Sequence, residues 1–274
     1  MFSAVIAALE RIGAGDFGTR LNPENHSGVG GLVKTVNQVA VQLDQWERLR
    51  QEFVSDVSHE IQSPLTSIRG FACALKREDL GPVDRRRYLE IIETESQRLS
   101  QLAASLLDLT SLNSAQHQFD PRPYRLDTQI KDVILSCEAQ WSEKQLEMNA
   151  VLQEATIIGD EELLSRLWIN LIHNAIKFTP EGGGVCVELC PGHFHHRVMV
   201  TDTGIGIASA DLPRIFERFY KADRERTGLQ SGNGLGLAIA KRVVDIHGGT
   251  ITARSLPGNG AEFIVELPVS GRTN

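Results

Sequence analysis

Between residues 161 and 178 (EELLSRLWINLIHNAIKF) the side chains sort into two stripes at helical spacing. Leu164, Leu167, Trp168, Leu171, Ile172 and Ala175 make an apolar face, while Asn170, Asn174 and Lys177 fall at i, i+4 and i+7 on a polar one, flanked by Arg166 and His173. A carboxamide oxygen is a good ligand for a hard divalent cation, and a lysine ammonium suits phosphate. The simpler reading is a solvated face. Such faces usually carry Glu and Lys, however, and each Asn costs roughly half a kcal/mol of helix propensity. A second candidate, Asp202-Thr-Gly204-Ile-Gly206, directly follows a strand-like run. Its glycines let backbone approach a ligand closely, and a carboxylate there can accept from an exocyclic amine. The third, Gly232-Asn-Gly234-Leu-Gly236-Leu237, opens a helix whose free N–H groups and positive dipole end suit phosphate. It is neither the Walker A sequence nor the GxGxxG dinucleotide pattern. Each could be a tight turn alone; all three, in this order, are hard to read as packing. His193, His195 and His196 beside Cys190 fall in a presumed hairpin loop, and a solvated loop, not a metal site, is the reading taken.

The elements that must position these residues divide into two styles. Residues 1–21 read as a short amphipathic helix with Val5, Leu9 and Ile12 on one face, stopped by Gly13-Ala-Gly-Asp16 and followed by the polar connector 22–31. A second helix has a seam at Leu32, Val36, Val39 and Leu43. The heptad spacing continues through Phe53, Val57, Ile61, Pro64, Ile68, Phe71 and Leu75, with Pro64 expected to kink the helix. Residues 78–84 (EDLGPVD) form the turn, and a return helix runs through Tyr88, Ile92, Leu99, Leu102, Leu106 and Leu109, with Glu95 the polar residue in its seam. One such hairpin cannot bury both seams, whereas two can pair as a four-helix bundle, so a homodimer is expected.

From Asp120-Pro-Arg-Pro123, a plausible linker, the style changes. Strand-like runs cover 185–190, 197–201, 250–254 and 261–267, the last two joined by the hairpin signal Pro257-Gly-Asn-Gly260, with helices at 161–178 and 235–247. This predicts an α+β domain with one mixed sheet and helices on one face.

The length of 274 residues fits about two domains at ~150 residues each. A net charge of −7 speaks against a chain built to coat nucleic acid or anionic membrane. Hydrophobic content of 41% with 23% charged residues is that of a globular protein, and 6% aromatics leave its core aliphatic. Cys73, Cys137, Cys186 and Cys190 contain no CxxC pair, which excludes a disulfide framework and fits a reducing cytosol. The longest apolar run near the start, Ala4 to Leu9, is far short of the ~20 residues that span a bilayer.

Taken together, these residues resemble the sensor histidine kinases of bacterial two-component systems. Ser58-His59-Glu60-Ile61-Gln62-Ser63-Pro64-Leu65 is similar to the phosphoacceptor box, and Asn170 to Phe178 to the N box. Asp202 to Gly206 resembles the first glycine box, Ile215 to Tyr220 the F box, and Gly232 to Leu237 the second glycine box. Order and spacing agree over about residues 48–267; the first 47 residues resemble a HAMP signal relay. The implied organisation is a HAMP-like unit at 1–47, a dimerisation and phosphotransfer hairpin at 48–118, and an ATP-binding domain of GHKL type at 119–274.

The resemblance implies ATP as cofactor, Mg²⁺ held by Asn174, and phosphorylation of His59 with Glu60 taking the ring proton. The nucleotide contacts it implies are Asn170, Asn174, Lys177 and Phe178, then Asp202, Gly204, Gly206 and Ile207. Phe219 and Tyr220 would border a lid at 221–233, and Gly234, Leu235, Gly236 and Leu237 would wrap the phosphates. His59 lies about 200° around the helix from the seam residue Val57, hence near the exposed side. A largely neutral imidazole can act as nucleophile near pH 7 without a special base. The phosphoryl group would then pass to an aspartate of a response regulator receiver domain.

Three positions depart from the family pattern: Gln62 stands where a basic residue is usual, Ser63 where Thr or Asn is common, and Ala261 where Thr is usual. Ser63 leaves phosphatase activity toward the regulator open, and Ala261 removes one polar contact near the base pocket or leaves it to water. An ATP-driven conformational clamp, a non-catalytic scaffold and a phosphatase-biased regulator are the alternatives. A HAMP-like unit that begins at Met1 implies a membrane anchor and sensor domain ahead of it in the parent protein, this chain being the cytoplasmic portion.

Overall fold

The computed structural model describes residues 2–22, 30–77, 80–113, 119–222 and 232–270, and the chain divides into two compact units, residues 1–95 and 96–274. In the first unit, α1 (Phe2–Gly13) ends where Gly15 adopts φ 93° and Arg11 Nε donates to Asp16 at 2.9 Å. α2 (Gly30–Ala74) is one helix of 45 residues, about 68 Å at the usual rise per residue. The expected boundary at residue 47 therefore falls inside a continuous helix. Val5, Ile12, Val33, Val36 and Ala40 form the core between α1 and α2, with Phe17 and Leu21 packed on it. Asn37 fixes the returning chain: its Oδ1 accepts from Leu21 N at 2.9 Å and its Nδ2 donates to Leu21 O at 2.7 Å.

The contact with α1 uses a stripe beside the expected seam of α2 and shares Val36 with it. Leu9, Leu32, Val39 and Leu43 are exposed, while Ala8, Val33 and Ala40 are buried in their place. α2 carries two neighbouring apolar stripes, and the one with the smaller side chains lets α1 approach. Farther along, α2 runs through Pro64, whose ring is buried. Its half-buried residues Phe53, Val57, Ile61, Ile68 and Phe71, with Leu75 just past its end, follow the predicted heptads. The turn covers 75–81, slightly earlier than expected, with Glu78 and Asp79 outside the described residues. α3 (Pro82–Asn113) opens with proline at its first position, where a missing N–H costs nothing. The Tyr88 ring meets Phe71 at a centroid distance of 5.0 Å.

In the second unit, β1 (Arg122–Arg125) pairs antiparallel with β3 (Thr156–Gly159). This corrects the linker reading of 119–123: Arg122 and Pro123 are ladder residues, and Asp120 N donates to Asp160 at 3.3 Å. Proline is tolerated there because the strand lies at a sheet edge. Next come α4 (Leu126–Ser136), α5 (Glu138–Glu143), β2 (Glu147–Leu152), α6 (Glu161–Phe178), β4 (Gly184–Cys190), β5 (His195–Asp202), α7 (Gly236–Ile246), β6 (Thr250–Ser255) and β7 (Ala261–Pro268).

The main sheet has order β2-β4-β5-β7-β6, with β2 and β4 parallel and the other pairs antiparallel, a mixed sheet as predicted. Alternate residues Val185, Val187, Leu189, Val198, Val200, Phe263, Val265 and Leu267 are buried on the face covered by α4, α6 and α7. At roughly 1.5–3 kcal/mol per buried aliphatic side chain, this layer is the main source of the domain's stability. His195 and His196 belong to β5, not to a loop; His196 is buried with Nε2 2.9 Å from Thr156 O.

Candidate functional site

The site is assembled around α6, and both ends of that helix are fixed by side chains from elsewhere. At its start, the Asp160 carboxylate caps Leu163 N at 3.1 Å, with Glu161 and Glu162 in the first turn favourable to the dipole. The Asp160 amide itself donates to His247 Nε2 at 3.0 Å, and His247 Nδ1 donates to Val243 O at 2.8 Å. This pair of contacts selects the neutral Nδ1–H tautomer and ties the start of α6 to the end of α7. Burial pushes the His247 pKa down, outweighing the opposing effects of Val243 O and Asp160. Gln129 of α4 adds a second anchor: its Oε1 accepts from Tyr124 at 2.9 Å and Trp168 at 3.1 Å, and its Nε2 donates to Glu161 O at 2.6 Å. At the other end, Lys144 Nζ donates to the carbonyls of Ile176 at 2.8 Å, Lys177 at 2.8 Å and Thr179 at 3.0 Å. An ammonium there satisfies terminal carbonyls and complements the negative end of the helix.

Held this way, the polar stripe of α6 faces both glycine turns. Asn170 Nδ2 donates to Arg166 O at 2.8 Å, and its Oδ1 lies so close to α7 that a Cβ on Gly236 would stand 2.7 Å away. Asn174 is half-buried, and its carboxamide has no protein partner among the described residues. Lys177 Nζ sits 4.7 Å from the Phe178 ring centroid and beside Gly232, where a Cβ would approach it to 2.9 Å. Its pKa is brought down to about 8, first by burial and then by the like charges of Lys221, Arg98 and Lys144.

Asp202 ends β5, buried, with Oδ1 accepting from Gly204 N at 2.8 Å and Ala261 N at 3.3 Å. Burial raises its pKa against those two bonds. The Ala261 backbone thus supplies one polar contact at a position whose side chain has none. Ile205 N donates to Phe178 O at 3.3 Å and Ile207 N to Ser255 Oγ at 2.7 Å, tying the Gly204–Ile207 turn to the ends of α6 and β6.

The third segment is threaded through Phe219. It takes φ 59°, donates from its amide to Gly234 O at 2.9 Å, and lies where a Cβ on Gly234 would come within 2.7 Å of its carbonyl carbon. Gly234 itself has φ 70°, so both the dihedral and the close approach demand glycine. Tyr220 donates to Asp211 at 2.6 Å with the Arg214 guanidinium 4.3 Å from its ring centroid. Leu235 is fully buried and its N–H is spent on Asn233 Oδ1 at 3.2 Å, so it serves the core and the turn rather than a ligand. Leu237 is half-buried. Most of the expected lid, residues 223–231, lies outside the described residues.

Asn170, Asn174, Lys177, Phe178, Asp202, the Gly204–Ile207 turn, Phe219 and Gly234–Leu237 are therefore brought together, with Tyr220 at the margin. His59 and Glu60 are in the other compact unit. His59 is exposed on α2 and Glu60 half-buried, and the neighbouring Gln62 and Ser63 are exposed. Sequence reasoning missed Lys144, Gln129, Asn233 and His247 as supports, because each acts at least partly through groups far along the chain that folding brings close. Among the described residues no cluster of three or more His, Cys, Asp or Glu side chains could hold a metal, so a cation here would rest on carboxamide oxygen. Asn174, half-buried and unpartnered, fits that role chemically.

Residues 159–271 match the family described as Histidine kinase-, DNA gyrase B-, and HSP90-like ATPase, and residues 49–115 match the His Kinase A (phospho-acceptor) domain. The chain is 32% identical over 252 residues to the sensor histidine kinase WalK of Bacillus subtilis strain 168, covering 89% of this chain and 40% of that protein. Among solved structures, full-length ShkA in complex with AMPPNP is 30% identical, with TM-score 0.59 over 81% of this chain and 47% of that one. The histidine kinase ThkA, in complex with the response regulator TrrA, shares the fold at 24% identity and TM-score 0.67, covering 83% and 66%. The chain spans about half the length of the curated relatives it matches.

Proposed function

Since the chain belongs to the sensor histidine kinases, we propose that it uses ATP to phosphorylate its own His59 and then passes the phosphoryl group to an aspartate of a response regulator. The observation that carries this reading is the convergence, around the C-terminal half of α6, of an unpartnered carboxamide, a buried carboxylate and a glycine turn at a helix N-terminus. ShkA, similar over most of this chain, was solved with an ATP analogue, which supports the same ligand here.

In this reading Asp202 accepts from the adenine amino group, and Gly234 and Gly236 let backbone close on the phosphates. Lys177 meets a phosphate oxygen, and Asn174 holds Mg²⁺ with Asn170 beside it. The ion supplies neutralisation of phosphate charge, as phosphoryl transfer generally requires. The neutral imidazole of His59 forms the new N–P bond as the bond between the terminal phosphorus and the ADP oxygen breaks. Glu60, the next residue, takes the ring proton.

The same reading gives two partners, a response regulator receiver domain and a second copy of the chain. The exposed stripe Leu32, Val39 and Leu43, with Trp46 76% and Leu49 63% exposed, supports pairing of two copies along α2. Residues 1–47 act as a HAMP-like relay, 48–118 as the dimerising phosphotransfer hairpin and 119–274 as the ATP domain. In this reading the chain works as the cytoplasmic portion of a membrane sensor kinase. Among the described residues no helix is long and apolar enough to cross a membrane.

The test is incubation of the chain with Mg²⁺ and γ-labelled ATP. Acid-labile label on the wild type, lost in Asn174→Ala along with Mg-dependent nucleotide binding, is the expected result. An unlabelled wild type, or an unchanged variant, would contradict the reading.

A further inference from the structure

The ATP-domain unit includes a piece of the phosphotransfer hairpin, residues 96–113 of α3, and this piece is seated on the nucleotide site itself. Asn233, between the two glycines of the phosphate turn, donates from Nδ2 to Ser105 Oγ at 3.0 Å. Its Oδ1 meanwhile accepts from Leu235 N at 3.2 Å, so one side chain both shapes the turn and touches α3. Asp108 pairs with Arg166 of α6, and Arg242 of α7 donates to Leu112 O at 3.2 Å. Arg98, Ser105 and Leu112 are spaced by seven and share one helical face, with Arg98 about 10 Å along the axis from Ser105. On the other side of Asn233, Gly232 abuts the Lys177 ammonium. The turn is thus bracketed by Lys177 and by the face of α3 that carries Arg98.

We infer that Arg98 is a ligand of the nucleotide's phosphate tail, so that α3 contributes a cation to the site and favours a triphosphate over a diphosphate. The inference rests on the nucleotide reading above. Like charge from Lys221 and Arg98, added to burial, lowers the pKa of the Lys177 ammonium, so the face of α3 that reaches Asn233 also bears on Lys177 electrostatically. Crowded cations are unfavourable until a polyanion joins them. A guanidinium can meet two phosphate oxygens at once, and the terminal phosphate adds the charge and the acceptors that a third cation can use. ADP leaves Lys177 and Lys221 with the charge it has and gives Arg98 little to hold. The seat of α3 on the ATP domain would accordingly tighten with a triphosphate and loosen with a diphosphate.

The test is calorimetric titration of the full chain with a non-hydrolysable ATP analogue and with ADP, both with Mg²⁺. Arg98→Gln should weaken the analogue roughly tenfold, the loss of about one charge-assisted hydrogen bond. ADP affinity should stay within about twofold, which also reports an intact site, and Arg98→Lys, which keeps the charge but not the two-pronged contact, should restore only part of the difference. Equal losses for both nucleotides, or no loss for either, would overturn the inference. A wild-type chain that binds neither nucleotide would overturn the nucleotide reading and this inference with it.

Discussion

Lys177 shows most clearly how single residues are tuned. Burial and neighbouring cations bring its pKa down to about 8, below the ordinary lysine value, so above that pH the free site holds the neutral amine. Bound phosphate raises the pKa, so nucleotide binding takes up a proton above pH 8. Affinity should then fall by about tenfold per pH unit above pH 8, until the ordinary lysine range is reached. Titrations at pH 7.5, 8.5 and 9.5 check this, and Lys177→Met should bind weakly with no slope over that range. At this scale the placement of the Asn stripe on one face of α6, of Asp202 at the end of a strand and of His59 on an exposed face was legible in the sequence. Leu235 was not, since burial of one residue inside a glycine turn depends on packing that no local pattern records.

Elements carry the site by being tied at their ends. α6 is fixed by Asp160 and His247 at one end and Lys144 at the other, which keeps its polar stripe aimed at both turns. Burial holds His247 below its ordinary value, so the folded domain binds fewer protons there than the unfolded chain does. Its contribution is therefore present in full above about pH 6.5 and declines as the pH falls below that value toward the lowered one. His247→Leu should cost about 1–3 kcal/mol at pH 8 by leaving the Asp160 amide unpaired, and the difference from wild type should shrink by pH 5.5. Urea unfolding at the two pH values measures it; an equal difference at both would count against the tie.

The long periodic segments were legible to within a residue or two. α6 follows its apolar face, and β4, β5 and β7 alternate cleanly because one face is buried and the other is not. β1 was taken for a linker because Pro123 reads as a breaker, though the edge position tolerates it. β3 is too short to show alternation, and β2 exposes most of its residues, so neither leaves a pattern. α4 begins straight from β1 with no side-chain cap to mark its start. The contact of α2 with α1 was not legible for another reason: two adjacent apolar stripes satisfy the same spacing, and only the approach of α1 selects Val33, Val36 and Ala40.

For the whole molecule, the proposed nucleotide site lies in one compact unit and His59 in the other. Family membership follows from the matches that cover both the phosphoacceptor helices and the ATPase domain. Because the proposed acceptor is remote in sequence from every proposed nucleotide contact, the two roles are separable by one substitution. The decisive measurement is labelling of His59→Gln with γ-labelled ATP and Mg²⁺, alongside nucleotide affinity of the same variant. The account predicts no acid-labile label, with affinity within about twofold of wild type, since the exposed imidazole makes no contact that the fold needs. Acid-labile label persisting in the variant at the wild-type level would contradict it.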